Sequence, residues 1–523
     1  MALESSVRSI NPATGEMLAE IPCASPDEVQ AAVLEARTAQ PEWQKMDVSR
    51  RLAVIAKFQR LVHERSAAIA RTITLEAGKP LVEALSTEIM VVLDAARFLV
   101  DHAYRLLQDE ALPHGSLAMK AKSGRIVREP LGVVGIISPW NYPFSIPATQ
   151  SMSALAAGNA VVLKPSEFTT MTARMIAELF RDAGLSQGLL QVMAGDAGTG
   201  ASLLDSGVDK LVFTGSVSTG KRIAQQAALR LLPVVLELGG KDPMLVLEDA
   251  DVEIAASGAV WGAFVNAGQA CLSIERCYVH ERLYKDFLEA CVEKTQRLKV
   301  GSGLEAGVDI GPMIHLRQLR AVEAQVRDAE SQGAQVLVGG RCMTELGPNF
   351  YAPTVLGRVS HAMRIMREET FGPVLPVMAI SSDDEAVDLA NDCEYGLAAS
   401  VWTRDRARGE RLARRIEAGT VMINDAVSCF GISEAPHGGV KCSGIGRTHG
   451  RYGLNEMVRL KYIDTDRVAG FKKPWWYEYD GSMRRQMKGW TDAQFAPGLA
   501  ARLRGAGQAI AALLRGASKG ERT

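Results

Sequence analysis

Five features are missing from this 523-residue sequence, and each absence narrows what it encodes. No Cys-x-x-Cys pair or other paired spacing occurs among the eight cysteines, so neither a disulfide framework nor a cysteine-held metal is expected. No apolar run reaches the ~18 residues that span a bilayer. The opening Met1-Ala-Leu-Glu-Ser-Ser6 also lacks the basic flank and apolar core of a secretion signal, so the expected location is the cytoplasm. Neither sign of charge dominates: 59 Lys and Arg stand against 60 Asp and Glu, so no overall field draws the chain to nucleic acid. No Gly-x-Gly-x-x-Gly follows a strand-like run, and a dinucleotide site of the commonest kind does not announce itself.

What is present is ordinary for a globular chain, with 47% hydrophobic and 23% charged residues, which excludes disorder and coiled coils. The length predicts two or three domains. Ser25-Pro26-Asp27-Glu28 is a capping box with Pro at the first helical position, and Val29, Ala32, Val33 and Ala36 follow at helical spacing. Further helical patterns cover about 48–64 and 80–108. Short apolar runs then appear at 132–137, 160–163, 189–193, 211–213, 234–238 and 244–247, with helical patterns such as 169–183 between most of them. Strands alternating with helices predict doubly wound, parallel α/β sheets with ligand sites at the strand ends.

Several residues at those ends could do chemistry. Cys271, in Asn266-Ala-Gly-Gln-Ala-Cys271, follows a helical pattern at a Gly-containing break, a place to present a thiol nucleophile. A buried packing thiol is the plainer reading of any single cysteine. Glu237 is one acid inside the apolar Val234–Leu238 run, where burial would raise its pKa toward that of a general base; pairing with Lys241 or a backbone amide is the alternative. Asn141, held between Pro139 and Pro143, could donate to an oxyanion or simply form the turn. Lys164-Pro-Ser166-Glu167 ends a strand and could grip ribose or phosphate. Phe213-Thr-Gly215-Ser216 leads from a strand into a helix start, where free N–H groups favour phosphate.

Taken together, in this order and spacing, these segments resemble the NAD(P)-dependent aldehyde dehydrogenase superfamily over about residues 7–465. The resemblance also rests on Leu236-Glu-Leu-Gly-Gly-Lys241, Glu368-Glu-Thr-Phe-Gly-Pro-Val374, Gly438-Gly-Val-Lys-Cys-Ser-Gly444 and the 34-position gap from Glu237 to Cys271. It implies an aldehyde dehydrogenase fold of two doubly wound α/β domains and a small oligomerisation flap. Residues 1–113 and 131–239 would bind NAD, 240–445 would be catalytic, and 114–130 with 446–471 would assemble a homodimer or homotetramer.

The resemblance further implies Cys271 as nucleophile, Asn141 as oxyanion donor and Glu237 as the base that hydrolyses a thioester. Trp140, Lys164, Ser166 and Glu167 would contact the cofactor, as would Gly215, Ser216, Gly239, Glu369 and Phe371. A carboxylate at position 167 implies NAD in preference to NADP. Tyr142, Ile146, Thr149, Val265 and Phe430 would line an apolar aldehyde passage. His437 stands where Phe is commonest, read as an aromatic substitute ahead of a catalytic or acid-recognising group. Medium-to-long aliphatic or aromatic aldehydes are therefore expected ahead of charged semialdehydes. A CoA-acylating relative, which would lack Glu237, and a silent binding relative, which would lose Cys271, are the alternatives.

About fifty residues extend past the family's usual end near residue 471. Residues 472–523 carry ten Lys/Arg and four Asp/Glu, six positive charges in excess, although the whole chain is at −1. Leu499, Leu503, Ala506, Ile510, Leu513 and Leu514 form one helical stripe with Arg502, Arg504 and Arg515 beside it. Such a basic amphipathic helix could pack on a neighbouring subunit or lie on an anionic membrane. Gly498, Gly505, Gly507 and Gly516 are expected to loosen it.

Overall fold

The computed structural model describes residues 5–116 and 119–468, then 470, 473, 475–477, 479 and 481–517. The side chains of 513–517, and with them Leu513, Leu514 and Arg515 of the stripe, lie outside the described residues, as does Lys472. The chain divides into two compact units: residues 1–107 with 130–459, and residues 108–129 with 460–523.

In the first unit, the capping box closes as the sequence predicts. Ser25 accepts from the Glu28 N–H at 3.2 Å, and Glu28 accepts from the Ser25 N–H at 2.8 Å, starting the helix Pro26–Lys45. The helix Val48–Glu64 follows within its expected bounds. The pattern over 80–108 is not one regular helix. A π-helical stretch, Ala84–Ile89, interrupts it between Leu81–Glu83 and Met90–Leu106, and this stretch turns Glu88 into the interior.

All six apolar runs become strands. Five lie in one parallel sheet in the order Val234–Glu237, Lys210–Thr214, Val133–Ile137, Ala160–Lys164, Leu190–Val192, with Gly444–Ile445 antiparallel at the Val234–Glu237 edge. The sixth, Asp242–Val246, sits inside a seven-stranded sheet beside Ile274–His280 and Ala398–Trp402, parallel throughout except for the edge strand Gln335–Val338. Strands such as Ala160–Lys164 and Ile274–His280 are buried along their whole length, as expected for sheets covered on both faces by helices.

The second unit holds a three-stranded sheet in the order Val458–Asp466, Lys122–Pro130, Glu110–Leu112. Ion pairs of Lys122 with Asp464 and Lys461 with Glu129 cross it. Two helices, Gly481–Phe495 and Leu499–Ala517, form an antiparallel pair. The glycines at 505 and 507 do not interrupt the second helix, and Gly489 and Gly505 are contact points. A Cβ on Gly505 would stand 2.4 Å from the Ala493 nitrogen, and one on Gly489 2.6 Å from the Ala509 nitrogen. Propensity cost is offset by the close approach of two backbones. Among the described residues, no helix is long and apolar enough to cross a membrane.

Candidate active site

The strand ends of the first sheet and the segments that close the second define a cleft of about 750 Å³. Its wall holds Trp140, Asn141, Ile146, Lys164, Ser166, Glu167, Gly215, Ser216, Glu237, Gly239, Cys271, Glu369 and Phe371, so twelve of the expected catalytic and cofactor positions converge there with Ile146 beside them. A smaller cavity adjoins it, lined by Cys271, Glu237, Ile146, Thr149, Phe430, His437 and His449. Tyr142 packs with Ile146, Ala270 and Phe430 in a small apolar cluster. Val265 is not brought to either wall: it is buried in the core of the second sheet, at the start of the turn Val265–Gly268.

That turn presents Cys271. The helix Val252–Phe264 ends, and Asn266, Ala267 and Gly268 all adopt left-handed backbone with φ of 53°, 55° and 71°. Two of them are not glycine, so the turn stores strain that its surroundings must hold. The Asn266 amide donates to the carbonyls of Asn141 and Gln269 at 3.0 and 3.1 Å, and Glu83 accepts from the Asn266 N–H at 3.0 Å. The Gln269 side chain donates to the Asn266 carbonyl and accepts from the Ile314 N–H. Asn141 donates one amide hydrogen to the Gln269 carbonyl at 3.0 Å, which leaves its second.

The Asn141 turn has its own support, which the sequence did not single out. Lys79 donates to Glu88 at 2.7 Å and to the Asn141 carbonyl at 2.8 Å, and its ammonium lies 4.0 Å from the centre of the Tyr142 ring. The other Glu88 oxygen accepts from the N–H groups of Phe144 and Ser145. Both side chains are fully buried. The nine-residue offset crosses the π-helical stretch, so no regular helical spacing could have paired them.

Glu237 is buried, and neither carboxylate oxygen has a hydrogen-bond partner. Its expected alternative partner is elsewhere: Lys241 donates to Glu275 at 2.7 Å and to Thr370 at 3.0 Å. Burial pushes the Glu237 carboxyl well above the usual carboxylate range, against the pull of Arg447. The Cys271 thiol is also pushed up, first by burial and then by the neighbouring Asp242, Glu369 and Glu237. Burial thus disfavours the charged form of both groups. His437, buried and held down to about 3 by burial, His449 and Arg447, is a neutral ring.

The cleft's other end fits a dinucleotide by its donors and its shape. Lys164 is buried with its ammonium 3.9 Å from the half-exposed Glu167, so a donor and an acceptor face one small space suited to a sugar diol. Ser216 caps the helix Val217–Ala228, whose N-terminal N–H groups open on the cleft. The Glu369–Phe371 segment is fixed from beneath: Glu275 accepts from the N–H groups of Thr370 and Phe371 at 2.7 and 2.9 Å. Glu369 accepts from the Gly240 N–H and is raised to about 8 by burial and Glu275. A Cβ at Gly239 would fall 2.5 Å from a Glu369 oxygen, so a larger residue there would push the Glu369 side chain aside. Trp140 meets Phe371 edge-on at 5.4 Å.

Comparison with known proteins places this geometry. Residues 2–463 match the aldehyde dehydrogenase family. A protein named 4,4'-diapolycopene aldehyde oxidase from Methylomonas sp is 40% identical over 93% of this chain and 91% of its own length. A putative succinate-semialdehyde dehydrogenase [NADP(+)] 2 from Mycobacterium bovis is 39% identical over 88% of this chain and 89% of its own. The NAD+ complex of an aldehyde dehydrogenase from Bacillus cereus superposes with a TM-score of 0.84 at 35% identity, covering 88% of this chain and 93% of that one.

Proposed function

The chain belongs to the aldehyde dehydrogenase family, NAD(P)-dependent oxidoreductases that act on aldehydes, and from that premise we propose that Cys271 is its nucleophile and Glu237 its base. The observation that carries this reading is that Cys271 and the unpartnered Glu237 line both the dinucleotide-shaped cleft and the smaller cavity adjoining it. Glu237 takes the thiol proton as the sulfur attacks the carbonyl carbon. The second amide hydrogen of Asn141 and the Cys271 N–H donate to the oxygen as it gains charge. The bound cofactor supplies the hydride acceptor. Glu237 gives the thiol proton up to water in the cleft that it lines, and as a carboxylate again draws a proton from the water that hydrolyses the Cys271 thioester to the acid. By this reading the first sheet is the cofactor-binding half and the second the catalytic half.

The same site supports finer readings. Glu167 would accept from both hydroxyls of an unmodified ribose and repel a 2′-phosphate, so NAD is the preferred cofactor. Around Cys271 the smaller cavity has no Lys or Arg on its wall, and the Thr149 hydroxyl is spent on the carbonyls of its own helix. A carboxylate-bearing semialdehyde would meet no fixed positive charge there, so medium-to-long aliphatic or aromatic aldehydes fit better. Eight free cysteines suit a reducing compartment, the cytoplasm.

Leu460 and Tyr462 stay exposed on the strand Val458–Asp466, in keeping with an assembly edge for a dimer or tetramer. In the helix pair, Leu499, Leu503 and Ile510 are exposed on one side of the second helix, away from the buried Gly505, Ala509 and Ala512. Arg502 and Arg504 flank that stripe, and an anionic membrane surface matches both its charge and its apolar face.

The decisive assay is cofactor reduction with hexanal, benzaldehyde and succinic semialdehyde, with NAD and NADP, for the wild type and Cys271→Ala. The expected result is Cys271-dependent NADH formation with at least tenfold higher kcat/KM for the uncharged aldehydes. No Cys271-dependent reduction with any aldehyde overturns the catalytic reading. A clear preference for the semialdehyde overturns only the substrate class.

A further inference from the structure

Each end of the large cleft offers a carboxylate suited to sugar hydroxyls, Glu167 at one and Glu369 at the other, and four rings run between them. Phe168 follows Glu167 directly. Its ring meets that of His315 at 4.8 Å, His315 lies 6.2 Å from Trp140, and Trp140 lies 5.4 Å from Phe371. All four rings line the cleft. Phe168 and Trp140 come after strands of the first sheet, Ala160–Lys164 and Val133–Ile137. His315 instead starts the helix Leu316–Ser331, which packs Leu319, Val322 and Val326 into the core of the second sheet. His315 therefore reaches over from the second half and stands between the two sugar-suited ends.

His315 occupies a helix cap, a place that Ser, Thr, Asp or Asn usually fills. Any of those would cap the helix as well, without either the ring or its second nitrogen. The His315 Nδ1 accepts from the Gln318 N–H at 3.0 Å, which puts the hydrogen of the neutral imidazole on Nε2. Burial, aided by Arg317, holds the ring below the usual histidine range against the pull of Glu167, so the neutral form is favoured. Nε2 has no partner among the described residues, and its N–H is an open donor. Arg317 lines the cleft too, and it has no ion-pair partner among the described residues. Arg364, on the same wall, is taken by Glu368 at 2.6 Å.

A dinucleotide is two nucleosides joined through a pyrophosphate. With one ribose at Glu167 and the other at Glu369, the group left between them is that pyrophosphate. We propose that His315 and Arg317 hold it from the second half of the molecule. This rests on the reading of the cleft as the dinucleotide site. The first half meets the same group with the helix N-terminus that Ser216 caps, whose N–H groups favour phosphate. From the second half come an N–H aimed by its own helix cap and a guanidinium without a competing carboxylate, a pair suited to phosphate oxygens. Phe168, packed on the imidazole, keeps that ring in place.

The test is equilibrium binding to the full-length protein without turnover, with NADH followed by its fluorescence and with ADP-ribose and AMP as competitors. His315→Asn keeps an acceptor for the Gln318 N–H, so the helix stays capped while the ring and its N–H are lost. Arg317→Gln removes only the charge. Each variant should bind NADH and ADP-ribose roughly tenfold more weakly, and AMP, which lacks the second phosphate, less than about threefold more weakly. Arg317→Gln should also flatten the salt dependence of NADH binding. Alkylation of Cys271 by iodoacetamide in the cofactor-free variants should keep its wild-type rate, which separates a lost contact from a disturbed site. Wild-type NADH affinity in either variant overturns the role of that residue, and a loss as large for AMP as for ADP-ribose overturns the pyrophosphate assignment. A Lys164→Met protein that binds NADH as the wild type does would instead sink the reading of the cleft.

Discussion

At the scale of single residues, the site depends on buried charges that hold backbone in place. Lys79 and Glu88 satisfy each other and grip the Asn141 carbonyl and the N–H groups of Phe144 and Ser145. Removing one partner leaves the other charge uncompensated in the interior. Lys79→Met should therefore destabilise the protein by roughly 3–5 kcal/mol, and Glu88→Gln, which leaves the buried Lys79 ammonium without its carboxylate, should cost about as much. Thermal unfolding followed by fluorescence will measure both, and unshifted transitions would show that the pair holds nothing. Catalytic candidates such as Cys271, Glu237 and Asn141 were legible because their segments carry a distinctive order along the chain. Lys79, Glu88, Asn266 and Glu275 were not, because each acts across a fold-dependent distance. Glu275 shows this plainly. It binds Lys241, which local reading had offered to Glu237, and it reaches 95 residues along the chain to the Thr370 N–H.

At the scale of elements, local rules served where the element stands on its own sequence. The capping box at Ser25 and the helix over Thr170–Asp182 formed within a residue of their expected bounds. They failed where a neighbour decides. The segment 80–108 reads as uninterrupted helix by apolar spacing, yet it contains a π-helical stretch that aims Glu88 at the Asn141 turn. In the tail, glycines that lower helix propensity are the points where two helices touch. Gly505 and Gly507 differ only in what lies over them, the Ala493 backbone in one case and nothing within 4 Å in the other. Gly505→Val should prise the pair apart and speed tryptic cleavage of the tail in the intact protein. Gly507→Val should not, and equal cleavage of the two variants would refute this packing.

At the scale of the whole molecule, charge is divided unevenly between a slightly acidic body and a basic tail. If the exposed Leu499, Leu503 and Ile510 stripe docks on anionic lipid, the full chain should co-sediment with phosphatidylserine vesicles at low salt and lose that binding near ~0.5 M salt. Deleting residues 473–523 should abolish it and leave activity in solution intact. Unchanged sedimentation after deletion removes the membrane reading, and a smaller particle by light scattering would assign the tail to subunit contact instead.

The sheet that bears Glu237 is closed by Gly444–Ile445, pairing Gly444 with Glu237 itself. Those residues are made 208 positions after the strand they complete. At about 5–20 residues per second, the ribosome leaves that strand's edge bare for roughly 10–40 s. The catalytic strand thus spends about two-fifths of synthesis as an open template for mispairing. Only a nearly finished chain can bury it, which makes loss of the last eighty residues or so a folding failure before it is a chemical one.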